Sequence, residues 1–383
     1  MANLVISELH RNLCFSFAFI SFIIFAGAQV VPSIIVFGDS LLDVGNNNHL
    51  ELSLAKANFP YNGVDFPKLW TGRFSNGRNA ADFFSEKLRL PTSPPYLSVK
   101  KDLLSLKRTR RDSNAAKVVL QNGGISFASG GAGILNETNK IFVQSISLDE
   151  QIEFFSGVHG QLEQQLGKSE AESFLAKSVF LIAIGSNDII GYSKPDSDLP
   201  GEFGSPENYM DILMHVFRGQ LKRIYDLGAR KFAIVGAALT GCCPSLRMQT
   251  GKGECNVEAN LLSLDFNNRA VSLIEELIKT ELLGIKYSFF FTHNLVIDII
   301  SQPAEQHGFT EVQTACCGRG DFNAEFACLA PVAELCDKRG SHLFWDLYHP
   351  TEAAAKMVID RFFSATEIKY VFPINGNQLV GIA

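Results

Sequence analysis

The chain has 383 residues, 46% of them hydrophobic and 19% charged, with a formal charge of −6 at pH 7. That balance, without a basic face or a base-stacking motif, argues against nucleic acid as a partner and suits a small uncharged substrate. No Pro/Ser-rich linker, low-complexity tract or internal repeat interrupts it, so one large domain with a sizeable core is expected.

Residues 1–28 come first. His10 and Arg11 lend weak positive charge, an apolar run fills residues 13–25, and Ala26-Gly27-Ala28 precedes Gln29, which is the order of a secretory signal peptide. The run is too short to cross a bilayer as a stable helix, and nothing later approaches a stretch of about 18 uncharged apolar residues. Residues 29–383 are therefore expected to form one exported domain without a stable membrane anchor.

Residues 33–37 (SIIVF) form a short apolar run, rich in β-branched side chains, that stops at Gly38. This is the pattern of a buried strand entering a tight turn. Residues 179–184, 232–235 and 287–291 repeat it, and residues 125–128 echo it more faintly. Helical spacing marks residues 80–88, 148–166, 207–227 and 257–283, with a last helix at 351–363. Buried strands alternating with amphipathic helices predict an α/β fold, a mostly parallel sheet covered on both faces, because each crossover helix must shield one face. Ligands of such sheets bind at the carboxyl ends of the strands.

Three of those ends carry polar motifs. Gly38-Asp39-Ser40 puts a serine on the turn after the first strand, with the start of a helix expected beneath it to favour developing negative charge. Asp and Ser are equally ordinary turn and N-cap residues. Ser129-Gly130-Gly131-Ala132-Gly133 follows the second strand, and its glycines would let backbone N–H groups approach a ligand closely. It lacks the spacing and the lysine of a nucleotide-binding loop, which leaves an oxyanion donor or a plain tight turn. After the third strand, Asn187 of Gly185-Ser186-Asn187-Asp188 could present a side-chain N–H or form an Asx turn.

Near the C-terminus, Asp346 and His349 stand three apart in Trp345-Asp346-Leu347-Tyr348-His349-Pro350 and can face the same way. Each motif alone is a common turn, cap or ion pair. Together they supply what one acyl transfer uses: a nucleophile, a base held by a carboxylate, and oxyanion donors. No cofactor is called for.

Of eight cysteines, Cys14 falls in the leader, leaving Cys242, Cys243, Cys255, Cys316, Cys317, Cys328 and Cys336 in the C-terminal half. In an exported protein these are expected to form disulfides across short loops with at least one thiol left over, the connectivity staying open. No Cys-x-x-Cys pair is present, so no metal site is expected. Asn136-Glu137-Thr138 is a glycosylation sequon. The basic run Lys100, Lys101, Lys107, Arg108, Arg110 and Arg111 reads as a solvated insertion ahead of a site for an anionic polymer or a membrane surface.

The segments FGDSLLDVGNNN (37–48), FASGGAG (127–133), GSND (185–188) and WDLYHPTEAA (345–354) resemble, in order, the four blocks of the plant GDSL esterase/lipase family, a branch of the SGNH hydrolases. RFSNGRNAADF (73–83), GCCP (241–244) and ACCGRG (315–320) also resemble family segments, so the likeness spans nearly the whole mature chain. It implies a three-layer α/β/α domain around a flavodoxin-like, mostly parallel sheet of five strands. It implies that Ser40 is the nucleophile and also gives a backbone N–H to an oxyanion hole completed by Asn187 and a glycine, placed at Gly131 with Gly130 as its alternative. His349 would be the base and Asp346 its orienter.

The implied activity is hydrolysis of lipid or small-molecule esters through an acyl-enzyme, by a secreted protein of the cell exterior, wall or apoplast. A base that must be neutral predicts loss of activity on acidification through about 6.5. An acyltransferase using the same triad and a catalytically silent binding or defence protein on the same fold are the competing readings. Ser126 stands where the family tends to have Asn, which is expected to alter how the glycine loop is held. Residues 100–121 look longer and more basic than usual, with consequences expected for substrate entry.

Overall fold

A computed structural model describes residues 30–67, 71–101, 115–194, 197 and 199–381. The expected signal peptide with Cys14, and Lys107, Arg108, Arg110 and Arg111 of the basic run, lie outside the described residues. Five strands, β1 (Ile34–Gly38), β2 (Gly124–Ser126), β3 (Val179–Ala183), β4 (Lys231–Val235) and β5 (Lys286–Phe290), run parallel. Their order is β2-β1-β3-β4-β5, the flavodoxin-like order. A sixth strand, Val371–Pro373, adds antiparallel to β5. It was not legible in the sequence: it is three residues long, and Pro373, which cannot donate to a ladder, belongs at an edge.

Continuous apolar strands bury both faces here. β1 sends Ile35 and Phe37 into one core and Ile34 and Val36 into the other; β3 divides Phe180 and Ile182 from Val179 and Leu181 in the same way. The first face is covered by the helices Leu148–Leu166, Pro206–Asp226 and Val257–Thr280, which bring Phe155, Phe217 and Leu273. Ala80–Lys87, Thr292–Ser301 and Glu352–Ser364 cover the second with Phe84, Val296 and Phe362. A fully buried phenylalanine contributes roughly 1.5–3 kcal/mol, and Phe37 also stacks on Phe127 and meets the edge of Phe155.

The helix starts follow their caps. Ser147 and Glu150 form a capping box at residue 148, and Thr351 accepts from the N–H of Ala354. Among the described residues, no helix is long and apolar enough to cross a membrane.

The C-terminal half is less regular between residues 302 and 351. Disulfides Cys316–Cys336 and Cys317–Cys328 staple it, and Cys242–Cys255 closes a loop after β4. Cys243 is the free thiol among the described residues, and it is buried. The odd cysteine count foretold that remainder but not its position.

Candidate active site

Gly38, at the end of β1, has φ +152°, and a Cβ there would lie 2.4 Å from the carbonyl oxygen of Ala183. Only glycine lets β1 and β3 close at this point. The Gly38 peptide is gripped by Gln151: the side-chain oxygen accepts its N–H and the side-chain N–H donates to its carbonyl, each at 2.8 Å. The N–H of Ser129 also donates to Gly38 O, at 3.0 Å, which ties the glycine loop to the turn that carries Ser40.

Ser40 follows in that turn, where the N–H of Leu41 donates to Asp39 Oδ1 at 2.9 Å. The α-helix expected beneath Ser40 is not there. The chain instead curls around Asp43, whose carboxylate accepts from Gly45 and Asn46 at 2.7 Å and from Asn47 at 3.4 Å, before one short 3₁₀ turn, Asn46–His49. A buried carboxylate thus gathers the N–H groups that a helix start would have left open.

The same Asp43 takes the N–H of Gly130 at 3.0 Å. Gly131, at φ +83°, has no acceptor for its own N–H among the described residues and lines the cavity beside Ser40. The loop between them is held from two neighbouring side chains. Asn46 donates to the carbonyls of Ser126 and Ala128, both at 2.9 Å, and Asn47 donates to that of Gly130 at 2.8 Å. Ser126 therefore takes part through its carbonyl, and its buried hydroxyl has no partner among the described residues.

Asn187 caps nothing: it is the second residue of the short helix Ser186–Tyr192, and its amide donates to Ala132 O at 2.9 Å. An amide nitrogen has two hydrogens, so one is free for a ligand. Asp188 is buried beside it and accepts from the N–H groups of Ile134 and Leu135 at 3.0 and 3.1 Å and from the hydroxyl of Thr138 at 2.5 Å. This binds the end of β3 to the glycine loop.

The C-terminal contribution is a closed turn. Trp345, fully buried, donates its indole N–H to Asn62 Oδ1 at 3.0 Å, and its backbone N–H to His349 O at 2.7 Å. Asp346 Oδ1 accepts the N–H groups of Tyr348 and His349 at 2.9 Å and faces His349 Nδ1 at 2.8 Å. His349 Nε2 lies 2.7 Å from Ser40 Oγ. The expected residues thus converge: Ser40, Gly131, Asn187, Asp346 and His349 all line one cavity of about 360 Å³.

Burial pushes the Asp346 carboxyl up, but the facing His349 ring and the two N–H donors outweigh it and hold it below the usual carboxylate range. Asp39 behaves oppositely: burial raises it to about 7 despite the Leu41 N–H and the nearby His349. Asp43 is pushed up to about 6 by burial against its four N–H donors. Cys243 shares the cavity wall, and burial pushes its thiol up to about 12, so it stays neutral and packs as a small apolar group.

Gln151, Asp43 and Asp188 were missed as supports by sequence reasoning. The signal for Gln151 was a polar residue on the apolar stripe of residues 148–166, between Leu148, Ile152 and Phe155. Cys316, Cys336 and His342 cluster elsewhere, but the two sulfurs are bonded to each other and offer no thiolate.

Comparison with known proteins identifies the family. The GDSL-like lipase/acylhydrolase family matches residues 34–362. An Arabidopsis thaliana GDSL esterase/lipase is 44% identical over 359 residues, covering 91% of this chain and 90% of the relative. Two others from the same plant are 37% identical, over 84% of each chain, and 36% identical, over 86% of this chain and 88% of the relative. The chain belongs to the GDSL-like lipase/acylhydrolase family and is a carboxylic ester hydrolase.

Proposed function

We propose that this chain is an exported esterase that cleaves lipid or small-molecule acyl esters through an acyl-enzyme on Ser40. The observation that carries the reading is the continuous relay from Asp346 through both ring nitrogens of His349 to Ser40 Oγ at 2.7 Å, inside a largely apolar cavity. His349 Nε2 takes the hydroxyl proton as Ser40 Oγ attacks the ester carbonyl. Asp346 fixes the tautomer and stabilises the imidazolium. The oxyanion is met by the N–H groups of Ser40 and Gly131 and by the free amide hydrogen of Asn187. Gly131 is favoured over Gly130 because Asp43 already holds the Gly130 N–H.

As the tetrahedral adduct collapses, His349 returns the proton to the departing alcohol. Water then enters, loses a proton to His349, attacks the acyl carbon and releases the acid, and Ser40 regains its proton. No metal or cofactor has a step. The leader at residues 1–28, the disulfides and an exposed Asn136 in its sequon support export and glycosylation in the same reading.

A fluorophosphonate probe should label the wild type stoichiometrically and leave Ser40→Ala unlabelled. Labelling of that variant would identify another nucleophile. Asn187→Ala should lower kcat by roughly 10²–10³ with less effect on KM; an unchanged kcat would remove Asn187 from the oxyanion hole.

A further inference from the structure

The cavity that holds Ser40 has two unlike ends. At one, Leu54 and Leu329 line it while being 69% and 48% exposed, so this end is an open mouth. At the other lie Val235 and Leu239, with Val296 and Ile299 of Thr292–Ser301 and Ala355 and Val358 of Glu352–Ser364. Val235, Leu239, Val296, Ile299 and Ala355 are all buried. Polar groups near this end are already engaged or neutral: the Thr240 hydroxyl pairs with Ser263 and reaches the Ala259 carbonyl, and the Cys243 thiol is un-ionised. Thr292 Oγ1 lies here too, buried from solvent and without a partner among the described residues.

We infer that this blind end is a channel for the acyl chain of the substrate, a linear hydrocarbon, with its length read by Val296, Ile299 and Val358. The inference rests on the esterase reading of Ser40 and deepens it. An aliphatic wall whose one unpartnered hydroxyl is Thr292 Oγ1 disfavours sugars, phosphates and charged alcohols, because each would lose its water and regain at most a hydrogen bond to that hydroxyl. An unbranched chain gains with every methylene it inserts, roughly fourfold per CH₂.

Which half of the ester enters follows from the order of events. The alcohol leaves first and water must then reach the acyl carbon, so the alcohol side needs the open mouth. The acyl group stays covalently attached to Ser40 between these steps, and a closed end can keep hold of it. Ala354 and Ala355, small residues at the start of Glu352–Ser364, leave the space that larger side chains would fill.

The test is kcat/KM for p-nitrophenyl esters from acetate to palmitate, beside acetate esters of alcohols of the same lengths, for the wild type, Val358→Phe and Ile299→Ala. In Val358→Phe the ratio of long-acyl to short-acyl kcat/KM should fall at least tenfold, while the alcohol-length series keeps its profile. In Ile299→Ala the preferred acyl chain should lengthen. An equal change at every acyl length, or a shift in the alcohol series alone, would overturn the channel. Failure of the esterase reading looks different: the wild type would hydrolyse no ester of either series and Ser40 would resist the fluorophosphonate.

Discussion

Ser40 and His349 reach the same point on unlike supports. The Ser40 side is built from the sheet: β1 ends at Gly38, Gln151 grips that peptide from a helix, and Asp43 gathers four N–H groups around the turn. The His349 side rests on a turn that closes on itself, in an irregular region held by Trp345 and two disulfides. Parallel strands place a serine through long-range hydrogen bonds, while a short loop places a histidine by local bonding and covalent staples. The two halves should therefore fail differently.

The largest expected effect lies on the sheet side. Asp43→Ala leaves four buried N–H groups without their acceptor, and on the scale of about 1–3 kcal/mol for each orphaned group it should lose several kcal/mol, read by urea denaturation. A loss below about 1 kcal/mol would mean that the turn is held otherwise. On the His349 side, replacing Cys316 and Cys336 by Ala opens a loop of sequence separation 20 and should cost about 3 kcal/mol. Activity should fall in reductant before the far-UV circular dichroism of the helices and sheet does. Simultaneous loss would erase the contrast between the two supports.

Gln151→Leu comes next, at about 1–3 kcal/mol, since it frees the Gly38 peptide and the Ile146 carbonyl; kcat should fall with it, because Ser40 lies two residues on. The last effect concerns Asp39 and is read through its pH dependence. Its folded pKa of about 7 lies above the ordinary 3.8, so the native state holds this proton more tightly than the unfolded chain. Ionising it destabilises the fold, by nothing below 3.8, progressively from there to 7, and fully above. Asp39→Asn should therefore raise Tm over wild type at pH 8 and lose that advantage near pH 4. An equal difference at both values would mean that Asp39 does not titrate in this window.

The same contrast explains what the sequence disclosed. Residues 33–37, 179–184 and 232–235 could be read as strands because a sheet covered on both faces leaves them apolar but for Ser33. Ser40, Asn187, Asp346 and His349 were singled out as what one acyl transfer would use, and the fold brings them to one cavity. The helix expected after Ser40 failed because Asp43 offered its N–H groups a different acceptor. Gln151 sits 113 residues from Gly38, beyond any local pattern. Val371–Pro373 was too short to announce itself, and the disulfide pairing depended on a loop geometry that spacing does not encode.

The hydroxyl of Thr138 serves two masters. It completes the sequon of Asn136, yet in the folded chain it is buried and donated to Asp188, beneath the glycine loop. A transferase that reads the sequon at that hydroxyl can do so only while the loop is still open. If Asn136 carries a sugar, its attachment and closure of the glycine loop would compete for one atom, and a chain that folds first would forgo its glycan. Folding speed, rather than surface exposure of Asn136, would set the occupancy of that site.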